Sequence, residues 1–164
     1  MNTSDLAPIL AGLFAELTTG APGQGAFIVN AGDPGLLASL EKLSAEEASR
    51  SAHDGAIIAA HADHLRYGLS LMNRWATEGG NPFADARWGD AWKIRSVNEE
   101  QWRSIQQGLR DEIQRWQNAL GEPREVIAIE LSGMIASVAH LAYHLGAVRQ
   151  ISAAARGPKD GTGQ

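Results

Sequence analysis

Four stretches of the chain set apolar residues three and four positions apart, with the glycines and prolines falling between them, so the sequence predicts four long helices. The first, expected over residues 4–18, carries Leu6, Ile9, Leu10, Leu13, Phe14 and Leu17 on one side, with Ser4 placed to cap its start and Gly20 beyond its end. The second, over 55–78, has the stripe Ile57, His61, His64, Gly68, Leu71, Met72 and Trp75. The third, over 97–120, repeats Trp102, Ile105, Leu109, Ile113, Trp116 and Leu120, with Ser96 and Glu99 as its candidate cap. The fourth, over 123–155, steps through Ile127, Leu131, Met134, Val138, Leu141, Leu145 and Val148, the seam of a helix packed in a bundle. No strand-like alternation exceeds a few residues. The expectation is an all-α four-helix bundle in one domain over 1–156, followed by a mobile tail at 157–164.

Two connections are long. Residues 20–53 hold a turn-rich segment around an apolar island at Phe27 to Val29, then "LLASLEKL", which fits a short helix, then "SAEE", which reads as a capping box. Apolar surface in "AFIV" and "LLASLEKL" is costly to leave in water, so this connection should pack over the bundle. In the second, "EGGNPFADARWGDAWKIRS", Trp88 and Trp92 either roof a pocket at one end of the bundle or anchor the loop to the core.

Composition removes several function classes. With 19 acidic against 14 basic residues and a net charge of −5, the chain lacks the basic face that nucleic acid requires. It contains no cysteine, so any metal must be held by histidine or carboxylate. The apolar run from Val126 to Val148 is interrupted by Glu130, Ser132, His140 and His144, which argues against a membrane span. The N-terminal segment has helical spacing and no basic n-region, so it does not resemble a signal peptide, and a cytoplasmic location is expected.

The chemistry concentrates in histidine. His140 and His144 stand four apart on the shoulder of the fourth helix's stripe, with side chains on one face at a separation that one metal ion bridges. His61 and His64 are three apart on the second helix, and both can point into the bundle. A single inward histidine is readily explained as a hydrogen-bonded core residue. Several converging imidazoles are most simply satisfied by a shared cation, and three neutral imidazoles leave open positions on a divalent ion. Spacing leaves His61 and His64 as alternatives for the third ligand. Asp63 could orient an imidazole, although its helical position favours solvent; Tyr143 could border a pocket mouth or simply pack, and His53 is expected to be exposed. Glu130 falls within the fourth helix's apolar stripe and needs a partner, but is too far from His140 to share a metal.

"AHLAYHLGAVRQ" resembles the fourth-helix signature of the DinB/YfiT-like four-helix bundles, in which a histidine pair four apart is followed by a glycine and a glutamine; "IIAAHADHLRYGLSL" resembles their second helix. The resemblance implies that His140 and His144 are paired ligands, that Gly146 and Gln150 match the residues after them, and that His64, which precedes Leu65, is the third ligand, with His61 as the alternative or an outer partner. It further implies hydrolase or thiol-transferase chemistry at a divalent metal, on a small-molecule substrate with a low-molecular-weight thiol as cosubstrate; nitrogen ligands favour nickel, copper or zinc, zinc or nickel being preferred because no softer ligand is present, and a homodimer is expected. Leu145 stands where many relatives carry a basic residue, a departure that bears on the substrate. The alternative is a non-enzymatic bundle acting by dimerisation or partner binding, with structural histidines.

Overall fold

The structure is a computed structural model that describes residues 1–23, 25–52 and 54–158; His53 and most of the expected tail lie outside the described residues. Among the described residues it is all-helical, with six α-helices and no strands. Four are long: α1 (Ala7–Thr19), α4 (Ile58–Glu78), α5 (Glu99–Gly121) and α6 (Ala128–Ile151). Two short ones, α2 (Gly35–Glu41) and α3 (Ala45–Ala48), lie in the first connection. α1 packs on α5 and α6, and α4 packs along α5 and, over a shorter stretch, on α6.

The apolar stripes explain this packing. Leu10, Phe14 and Leu17 of α1, Leu65 and Leu69 of α4, Leu109, Ile113 and Trp116 of α5, and Met134, Val138, Leu141 and Leu145 of α6 belong to one buried cluster. Trp116 also donates its indole N–H to Ser137 Oγ at 2.9 Å, tying α5 to α6.

The ends of the helices depart from the sequence expectation because better partners compete. α1 begins at Ala7 with Pro8 in its first turn, and the hydroxyl of Ser4 bonds Asn2 instead of capping the helix; Leu6 and Ile9 are exposed. Asn98 and Gln101, rather than Ser96 and Glu99, form the capping box of α5, with both hydrogen bonds present at 2.8 and 2.9 Å. Ser44 and Glu47 do form the box expected at "SAEE".

The first connection docks through Leu36, Leu40, Leu43 and Ala48, and Trp102 of α5 holds it by donating to the Leu43 carbonyl at 2.8 Å. Its turn needs glycine twice. Gly20 (φ 112°) and Gly35 (φ 75°) lie against each other's strand of backbone, and a Cβ at Gly35 would stand 2.6 Å from Gly20 N. The apolar island divides: Val29 packs against the core as expected, whereas Ile28 is exposed and Phe27 is 84% exposed. The backbone there is held by polarity, since the carboxylate of Glu16 in α1 accepts the amides of Phe27, Ile28 and Val29 at 2.5–3.0 Å. Glu16 is only 3% exposed. Burial pushes its pKa up, but the three amide hydrogen bonds outweigh this and hold it below the usual carboxylate value.

Arg149 of α6 forms a two-pronged ion pair with the buried Asp33, at 2.8 and 2.6 Å, and Asp33 also accepts the Gly35 amide at 2.8 Å. Gly157, the first residue of the expected tail, packs against this pair. α6 is long and apolar enough to cross a membrane by length and composition alone, its polar interruptions being few. One side of it is packed in the core; the other side, Ala128, Ser132, Ile135, Ala139, Tyr143 and Gly146, is exposed and uncharged.

Candidate metal centre

Where α4 and α6 meet, four histidines come together. The ligand atoms of His64, His140 and His144 all lie within 4.8 Å of one another. Nε2 of His140 is 3.2 Å from Nε2 of His64 and 2.9 Å from Nε2 of His144. Nitrogens bound to one tetrahedral zinc at 2.0–2.1 Å would be separated by about 3.3 Å, so the two separations from His140 are close to the spacing of a shared ion. Helical period places His140 and His144 on one face of α6, and α4 supplies His64 from the opposite side.

His61 occupies a different position. Its Nδ1 lies 2.9 Å from Nδ1 of His144, on the side of that ring away from His140. If Nε2 of His144 ligates, its proton resides on Nδ1 and is donated to His61, which fixes the tautomer and orientation of His144. His64 is the α4 residue in the group of three that could hold an ion, and His61 lies outside that group, against His144.

Aromatic rings confine the cluster. Trp92, in the 3-10 turn Ala91–Lys93, stacks on His64 with centroids 4.6 Å apart and meets His61 edge-on at 5.3 Å. Trp88 lies 5.8 Å from His64. The loop tryptophans therefore contact the histidines directly. Asp63 is paired with Arg66 at 2.8 Å, and no carboxylate belongs to the ligand group. Tyr143 is exposed, with its ring edge-on to His144. Glu130 finds its partner locally, accepting the Ile127 amide at 2.7 Å at the start of α6.

All four imidazoles are held neutral. Burial lowers the pKa of each; the neighbouring His64 adds to this at His61, and His140 adds to it at His64, where the Trp88 backbone and Asp63 act in the opposite direction. His144, 2% exposed and surrounded by the other three, is lowered to about 3 by burial and then by the charges of His140, His61 and His64. The lone pairs needed for ligation are thus available at neutral pH.

The geometry poses a hydrogen-bonding problem that a cation solves. An imidazole nitrogen offers one proton or one in-plane lone pair, so Nε2 of His140 can satisfy only one of its two neighbouring nitrogens. A divalent ion accepts all three lone pairs at once. Compared with protein-family models, curated proteins and solved structures, the chain matches none.

Proposed function

We propose that the chain is a divalent-metal-dependent enzyme of DinB/YfiT-like four-helix-bundle type, with His64, His140 and His144 as ligands and His61 orienting His144. The observation that carries this reading is the convergence of the Nε2 atoms of three neutral imidazoles, buried at His64 and His144 and half-buried at His140, which cannot satisfy one another. Three protein ligands leave a position open to substrate, which favours a catalytic site over a structural one. When bound, the ion supplies Lewis acidity toward water or a thiol. Zinc or nickel suits this set, in which every ligand is an imidazole nitrogen. The protein's own contribution is to hold three rings in register, to exclude water with Trp92 and Trp88, and to keep the proton of His144 on Nδ1 through His61. The four long helices and the placement of the histidines on α4 and α6 support the bundle assignment.

The test is metal uptake by protein purified without an affinity tag, stripped with chelator and titrated with zinc or nickel. His140→Ala and His144→Ala should each abolish stoichiometric binding while leaving the helical circular-dichroism signal. His61→Ala should weaken binding by about 10–100-fold, as loss of an outer partner does. Absence of uptake by the wild type would defeat the reading. A second reading, association of two copies without catalysis, is favoured by the uncharged exposed side of α6. A sedimentation experiment in which Ala139→Arg leaves the molecular mass unchanged would remove it.

A further inference from the structure

A cavity of about 830 Å³ runs between α4 and α6 and ends at His140. Its walls come from α4, between Leu65 and Trp75, from α6, between Glu130 and Leu141, and from Asn81, Phe83 and Trp88 of the connection that follows α4. From His140 to Glu130 the groove follows ten residues of α6, about 15 Å at 1.5 Å per residue.

Its walls are specific in character. Trp88 stands over the histidine end, stacks on Phe83 with centroids 6.4 Å apart, and Phe83 meets Trp75 edge-on at 5.4 Å, so aromatic rings line the groove continuously from the metal centre to its far end. Leu65, Leu69 and Leu141 complete the apolar surface. Glycines set its shape. A Cβ on Gly133 would come 2.7 Å from the Trp75 ring, so glycine lets that ring lie against the α6 backbone. Among the described residues the only charged one on the wall is Glu130, at the end remote from His140, and no lysine or arginine borders the groove. An anionic or sugar-like ligand would lose its hydration there without gaining partners.

We infer that the groove binds the substrate of the proposed metal centre, and that this substrate is an elongated, uncharged, apolar molecule bearing aromatic or aliphatic bulk behind a nitrogen, oxygen or sulfur donor directed at the metal. The inference rests on the metal reading for the role of the head group; the tail depends on the groove alone. The size matches sites that enclose small organic ligands, and the scarcity of polar groups matches recognition by shape and burial.

Calorimetric titration of the zinc-loaded protein with imidazole, 4-phenylimidazole and 4-(4-biphenylyl)imidazole tests this. Affinity should rise by about tenfold or more with each ring, as expected for burying a phenyl group. Ala136→Phe, at an exposed position on the groove wall, should remove the gain in affinity that each added ring gives over imidazole itself; Arg103→Phe, which adds the same bulk on the exposed side of α5, should leave the whole series unchanged. Equal affinities across the series, with imidazole still bound, would overturn the groove proposal and spare the metal centre. If the protein takes up no metal, biphenyl-4-methanol with the stripped protein decides the tail: binding lost in Ala136→Phe supports the groove, and no binding refutes it. A dimer dissociated by Ala136→Phe would give the groove to a second copy and overturn the proposal.

Discussion

Metal-free protein should lose stability as the pH falls from 7.5 toward 5, and His144 sets a minimum for the loss. Its folded pKa of about 3 lies below the ordinary value of 6.5, so its contribution is present above 6.5 and is lost as the pH falls toward the folded value. Over this window an unfolded His144 takes up its proton while the folded one stays neutral, and integrating that difference gives a loss of about 2 kcal/mol. His61, His64 and His140 are lowered as well and add in the same direction. Glu16, also lowered, begins to contribute only below its ordinary value of 4.5, outside the window. In a chain of this length about 2 kcal/mol corresponds to a fall of about 4–8 °C in Tm. The assay is urea unfolding followed by far-UV circular dichroism in the presence of chelator, at several pH values, for wild type and His144→Gln. The variant should start less stable or equal at pH 7.5 and show a pH dependence flatter by about 2 kcal/mol. Parallel curves for the two proteins, or a wild-type stability independent of pH between 7.5 and 5, would refute the reasoning that burial keeps His144 neutral.

Asp33→Ala strands Arg149 beside a buried carboxylate site and removes the acceptor of the Gly35 amide, so unfolding free energy should fall by about 3–5 kcal/mol in denaturant titration. Removing the exposed Glu41–Arg110 pair by Glu41→Ala should cost less than about 1 kcal/mol in the same assay. Glu16→Ala leaves three amides without their acceptor and should destabilise by about 1–3 kcal/mol, with faster limited proteolysis confined to the segment around Phe27.

Much of the helical layout was legible in the sequence. The three-and-four spacing of Leu109, Ile113 and Trp116, or of Met134, Val138 and Leu141, is a property of one segment, and a helix with such a stripe must bury it. The same period put His140 and His144 on one face, and "SAEE" announced its cap from adjacent residues. What tertiary structure decided involves residues far apart in the chain. Asp33 and Arg149 are separated by 116 positions and carry no local sign of each other. Phe27 stays exposed in the loop after α1, where Glu16 of that helix claims the backbone around it. Spacing left His61 and His64 equivalent, since both lie on the inner side of α4; the rotation and height of α4 against α6 brought His64 to Nε2 of His140 and His61 to Nδ1 of His144. The groove has the same origin, since its walls join residues of α4 and α6 with the Phe83 and Trp88 rings of a connecting loop. Periodicity determines which residues share a face of one helix, whereas the distance between faces is set by how all the helices pack together, which no single stretch encodes.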